Sequence, residues 1–98
     1  MSNPELSFLS TLEHVIRQRL QSPVAGSYTS ELAARGRQRI AQKVGEEAVE
    51  LVLASVCGTR NETIDEAADL LYHILVMLGE RDIALADIVA RLEQRHAS

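Results

Sequence analysis

Two short acidic stretches hold the residues best placed to do chemistry. Glu46, Glu47 and Glu50 lie in Lys43-Val44-Gly45-Glu46-Glu47-Ala48-Val49-Glu50-Leu51-Val52-Leu53-Ala54, and Glu66 and Asp69 lie in Asp65-Glu66-Ala67-Ala68-Asp69-Leu70-Leu71-Tyr72-His73. Glu47 with Glu50 and Glu66 with Asp69 repeat one spacing, three residues, which puts each pair on one helix face. Like charges so placed destabilise a helix by a few tenths of about 1 kcal/mol when exposed, and by more when desolvated. Both pairs are set among Ala, Val and Leu, so burial would be costly without a cation between them. All-oxygen, anionic ligands suit a hard divalent ion, Mg²⁺ or Mn²⁺. Mg²⁺ binds few protein groups and bridges to substrate phosphates.

Other readings of the same residues fit less well. A solvated acidic face would need polar neighbours, and Val49, Leu51, Val52, Leu53, Ala67, Ala68, Leu70 and Leu71 leave room for few. A di-iron carboxylate bundle needs two Glu-x-x-His motifs, and the chain has one, Glu93 to His96. Cys57, His14, His73 and His96 lack the spacing of zinc ligands. Cys57 reads as a small buried core residue on an apolar helix. His73 is either a core histidine or a group that holds a carboxylate, with the core reading ahead. Arg39, Lys43 and Glu47 form an i, i+4 ladder. Lys43 divides evenly between a surface salt bridge and a phosphate clamp beside a metal; salt bridging is the better reading of Arg35 and Arg37.

Helices must position these groups. Leu6, Leu9, Leu12, Val15, Ile16 and Leu20 follow helical spacing from Glu5 until just before Pro23. A loop from Gln21 to Tyr28 follows, with Ser27 or Thr29 as cap for a short helical turn that Gly36 ends. Arg37 to Cys57 is one long helix closed by Gly58. Gly45 inside it costs about 1 kcal/mol relative to Ala, which points to close approach of another backbone or a ligand. Asn61 is the expected cap of the next helix, running to about Leu78. The short connection at Gly58-Thr59-Arg60 makes these two helices antiparallel neighbours, so the four paired carboxylates can face one another across a single groove. Leu70 to Leu78 is apolar nearly all round and needs neighbours all round, which predicts a dimer or higher oligomer. Leu85 to Arg95 forms a last amphipathic helix. The fold class is all-α, a bundle of about four to five helices completed by dimerisation.

The composition agrees. A chain of 98 residues with 46% hydrophobic and 3% aromatic residues allows one domain, residues 1–98 with a core at about 5–95, and a thin aliphatic core. Met1 to Pro4 reads as a loose terminus. A net charge of −4 argues against a nucleic-acid partner. A single cysteine excludes an internal disulfide. With no leader and no spanning segment in view, the expected location is the cytoplasm, away from membranes.

Three segments carry a family likeness: Ser27-Tyr28-Thr29, Gln42 to Glu50, and Glu66 to His73. Over about residues 5 to 95 the chain resembles the MazG-type all-α nucleoside-triphosphate pyrophosphohydrolases, and most closely the phosphoribosyl-ATP pyrophosphohydrolases of histidine biosynthesis. The resemblance implies Mg²⁺-dependent hydrolysis between the α- and β-phosphates of phosphoribosyl-ATP, in a homodimer of helical subunits. On that reading Glu47, Glu50, Glu66 and Asp69 hold the metal and Lys43 and Arg39 contact phosphate. Tyr28 and Thr29, on the loop before the site, close over substrate. Glu46 and Glu47 are the catalytic candidates, with Glu46 either a ligand to a second Mg²⁺ or the base on the attacking water. In many relatives this domain is fused to the cyclohydrolase of the next step; here that activity is expected from another chain. The rival readings are a house-cleaning pyrophosphohydrolase acting on other triphosphates, and a helical dimerisation module without activity.

Overall fold

A computed structural model describes residues 5–97, so the expectation for Met1 to Pro4 lies outside the described residues. Among the described residues there are five α-helices and no strand: α1 (Phe8–Gln21), α2 (Tyr28–Ala34), α3 (Arg37–Cys57), α4 (Arg60–Glu80) and α5 (Leu85–His96). The all-α expectation holds.

The frame is the antiparallel hairpin of α3 and α4. Only Gly58 and Thr59 join them. Asn61 is not the cap of α4. Thr59 is, because its hydroxyl accepts from the Glu62 backbone N–H at 3.1 Å while the Glu62 carboxylate accepts from the Thr59 N–H at 2.8 Å. This reciprocal pair satisfies two donors that a helix start leaves open. It outcompetes Asn61, and α4 begins earlier and runs two residues further than expected, to Glu80. Register is pinned at both ends of the hairpin. Arg37 grips Glu80 through two bonds of 2.8 and 3.1 Å, and the Thr63 hydroxyl donates to the Ala54 carbonyl at 3.1 Å.

The core gathers at one end of this hairpin. Ile16, Leu32, Ile40, Leu75 and Val76, from α1 to α4, are buried together, and Leu9, Leu12, Leu20, Tyr72, Met77 and Leu85 pack around them. Burying each such aliphatic side chain contributes about 1.5–3 kcal/mol. α1 approaches α4 so closely that a Cβ on Gly79 would lie 3.0 Å from Leu20 Cδ1. At the α2–α3 join Gly36 takes φ of 95°, a value that side-chain-bearing residues rarely adopt. α5 is attached mainly by its first residue, whose N–H donates to the Glu13 carboxylate at 2.6 Å.

The other end of the hairpin has no third layer among the described residues, and this overturns one expectation. Cys57 is exposed, because the last turn of α3 has only the start of α4 beside it. Gly45 has nothing within 4 Å of where a Cβ would stand, so no backbone of this chain approaches it. The apolar residues flanking the acids are also open within the single chain: Val49, Val52, Leu53 and Val56 are 59%, 61%, 58% and 78% exposed. By contrast Leu75 and Val76, in the apolar half of α4, are covered by the chain's own helices.

Candidate active site

The hairpin register decides which acids meet. With Arg37 opposite Glu80 and Ala54 opposite Thr63, Glu47 falls opposite Asp69 and Glu50 opposite Glu66. Carboxylate oxygens of Glu47, Glu66 and Asp69 lie within 4.8 Å of one another. Glu47 is buried, Glu66 half-buried and Asp69 exposed, so the cluster opens outward along the groove. Glu50 stands at its rim and is the charged neighbour that acts most strongly on Glu66.

Glu66 shows what the cluster lacks. Its Oε1 is buried with no hydrogen-bond partner among the described residues. Burial first, then the charges of Glu50, Asp69, Glu47 and Asp65, raise its pKa above the ordinary carboxylate value. An unpaired buried carboxylate oxygen facing two further carboxylates is a poor resting arrangement for a protein and a good donor set for a hard divalent cation. The residues present therefore fit Mg²⁺ or Mn²⁺. Among the described residues the one cation in contact with the cluster is Lys43, whose Nζ is 3.4 Å from Glu47 Oε2.

Glu46 is on the same helix but outside the cluster. About 100° separates successive residues, and its carboxylate accepts from Gln42 Nε2 at 3.0 Å and lies 3.9 Å from both Arg39 and Lys43. The structure thus brings together Glu47, Glu66 and Asp69 with Glu50 beside them, and sets Glu46 with the basic residues.

Tyr28 and Thr29 are not on a loop. Ser27 caps α2 by accepting from the Ser30 N–H at 3.2 Å, which makes Tyr28 and Thr29 the first helical turn. Both are tied to α4. The Thr29 hydroxyl bonds the Tyr72 hydroxyl, and Thr29 is 7% exposed, an anchor rather than a surface group. Tyr28 is half-exposed and its hydroxyl meets His73 Nε2 at 2.9 Å. His73 Nδ1 lies 2.7 Å from the Asp69 carbonyl oxygen. A carbonyl only accepts, so Nδ1 carries a proton, and Nε2 is left to pair with the Tyr28 hydroxyl. His73 is the core histidine of the two readings: it is buried and bonds no carboxylate among the described residues, and it ties α2 to the turn that bears Asp69. This link was not legible in sequence, although both residues lie in the segments that carry the family likeness.

A second feature adjoins the cluster. A cavity of about 140 Å³ is lined by Tyr28, Glu31, Leu32, Arg35, Arg39 and Lys43. Arg37 is absent from it because its guanidinium is held by Glu80. Arg35, which salt bridging seemed to account for, has no carboxylate within ion-pair reach among the described residues and lines the cavity.

Comparison with known proteins gives a consistent answer. Residues 9–96 match the family model described as phosphoribosyl-ATP pyrophosphohydrolase. The chain is 46% identical over 92 residues to the histidine biosynthesis bifunctional protein HisIE of Vibrio cholerae, covering 94% of this chain and 44% of that protein. It is 47% identical over 90 residues to the phosphoribosyl-ATP pyrophosphatase of Dinoroseobacter shibae, covering 92% of this chain and 88% of that one. A similar match, 47% over 90 residues, joins it to the bifunctional protein of Yersinia pestis, again covering 92% of this chain and 44% of the relative. The chain thus spans less than half the length of the bifunctional relatives and nearly all of the single-activity one.

Proposed function

The chain belongs to the phosphoribosyl-ATP pyrophosphohydrolase family, and on that premise we propose that it hydrolyses phosphoribosyl-ATP to phosphoribosyl-AMP and pyrophosphate, the second step of L-histidine biosynthesis. The observation that carries the proposal into this fold is the cluster of Glu47, Glu66 and Asp69, in which Glu66 also has a buried, unpartnered Oε1. Those three, with Glu50 at the rim, would hold Mg²⁺. The bound ion supplies charge neutralisation for the polyphosphate.

The chain's own residues do the rest. Lys43, between the cluster and the cavity, contacts phosphate as a mobile point charge. Glu46 holds Lys43 and Arg39 in place through its two ion pairs, a supporting role in preference to that of base or second-metal ligand. His73 keeps Tyr28 against α4 and fixes the backbone at Asp69. The proposed homodimer is supported by the exposed apolar residues of α3, which adjoin the acids. No helix among the described residues is long and apolar enough to cross a membrane.

Pyrophosphate release from phosphoribosyl-ATP, set against ATP, dCTP and dUTP with Mg²⁺ present, tests the reading. The adduct should be preferred; a preference for an ordinary triphosphate would replace it with the house-cleaning activity, and no release from any substrate would leave only the dimerisation module. Glu47→Gln and Asp69→Asn should each lower turnover by about a hundred-fold or more, the scale of losing a group that orients a metal-bound reactant. Both should keep their helical circular dichroism. Glu46→Gln should retain Mg²⁺ binding, and its loss there would return Glu46 to the metal site.

A further inference from the structure

The structure also indicates where this chain would distinguish its adduct from a plain nucleotide; the inference rests on the proposed activity. Phosphoribosyl-ATP carries two separate anionic groups, the triphosphate and the 5′-phosphate of the added ribose. The carboxylate cluster with its metal serves the first. The second needs cations that are near the cluster and not already committed. Arg37 is taken by Glu80 and Arg17 by Asp82. Arg35, Arg39 and Lys43 line one cavity with Tyr28, Leu32 and a single acid, Glu31, and of the three only Arg35 lacks an ion pair among the described residues. Glu46 and Glu47 offset Arg39 and Lys43, so the cavity's unpaired positive charge is that of Arg35.

Size and position narrow the occupant. At about 140 Å³ the cavity is below the roughly 300–1,000 Å³ of sites that enclose whole small molecules, which suits one phosphate and not a nucleoside. Two contacts join it to the cluster. Lys43 reaches Glu47 at 3.4 Å, and Tyr28 bonds His73, which bonds the backbone of Asp69. Among the three cations Arg35 has no ion-pair partner among the described residues, whereas Arg39 and Lys43 are shared with Glu46 and Glu47. A guanidinium fork matches phosphate oxygens two at a time.

We propose that the cavity between α2 and the start of α3 is the seat of the ribosyl 5′-phosphate, and that Arg35 is the residue that reads it. The test compares two substrates, phosphoribosyl-ATP and the same adduct lacking the 5′-phosphate. Arg35→Ala should lose about ten-fold or more in kcat/KM on the phosphorylated adduct, mostly through KM, the worth of a charge-assisted hydrogen bond. On the dephosphorylated adduct it should match the parent within about two-fold. Arg35→Gln, which keeps a polar side chain without the charge, should repeat the result, and Arg35→Lys should recover part of the loss. Equal losses on both substrates, or none on either, overturn the subsite while the activity stands. Failure of the unaltered protein to cleave phosphoribosyl-ATP overturns the functional reading and the subsite with it.

Discussion

Glu66 carries a cost that a bound cation would remove. Its folded-state pKa is raised, by burial first and by four neighbouring acids after it. The sign follows from linkage: a carboxyl that holds its proton more tightly when folded destabilises the fold as pH rises from its unfolded value, fully so above its folded one. At neutral pH, above the ordinary glutamate range, the metal-free protein bears that cost. Glu66→Gln should therefore raise the melting temperature of the metal-free protein at neutral pH, and the gain should vanish as pH falls below the ordinary glutamate range. Mg²⁺ should raise the melting temperature of the parent by mass action and do so less for the variant. Calorimetry across pH, with Mg²⁺ or with EDTA, checks all three. A variant that melts lower than the parent without metal would contradict the argument. Arg35 belongs to the same scale, because its freedom is set by the absence of an acid within reach and not by any feature of α2 as a whole.

The hairpin of α3 and α4 converts two ordinary amphipathic helices into a site, and its register does so. Thr59 and Glu62 fix where α4 begins. Arg37 and Glu80 fix where the pair ends. Thr59→Ala removes the side-chain half of the capping box and should cost about 1 kcal/mol of stability, read by urea unfolding. With register held at the far end by Arg37 and Glu80, turnover under native conditions should change little. A large loss of turnover with little loss of stability would mean that the cap, and not the far ion pair, sets the carboxylate alignment. The expected cap, Asn61, was a reasonable sequence choice. Thr59 prevails because it alone has a Glu three residues on at Glu62, the pairing that makes the bonds reciprocal.

At the scale of the molecule, the core and the site lie at different parts of the hairpin. Ile16, Leu32, Ile40, Leu75 and Val76 occupy the end that α1 and α2 cover, and Val49, Val52, Leu53 and Val56 face outward beside the acids. Large exposed apolar faces mark association surfaces. If a second copy covers this one, Val52→Glu should shift the protein from dimer to monomer in analytical ultracentrifugation, and the shift should be concentration-dependent. A parent that is monomeric at all concentrations, or a variant still dimeric, would place the contact elsewhere. Leu70 to Leu78, the segment from which association was inferred, turns out to be served largely within the chain. The reason is α1, whose close approach at Gly79 covers it.

How much was legible in the sequence follows from what kind of interaction each feature depends on. Helices depend on local spacing and breakers, so all five were legible, with errors of a few residues at their ends. The Glu47, Glu66 and Asp69 cluster was legible because two i, i+3 pairs joined by a short turn can meet only across one groove. The exposure of Cys57 was not, since an apolar helix reads the same whether or not a third layer lies over it. Nor was the division of the basic residues: Arg35, Arg37, Arg39 and Lys43 look alike in order, and only the folded chain gives Arg37 to Glu80, Lys43 to Glu47 and leaves Arg35 facing the cavity. The sequence by itself determined the helices, the carboxylate pairs and the family. Tertiary structure alone decided that His73 joins Tyr28 to the Asp69 backbone, that Glu46 stands apart, and that Arg35 alone of the basic run from Arg35 to Lys43 is unpaired among the described residues, because each depends on contacts made in the folded chain.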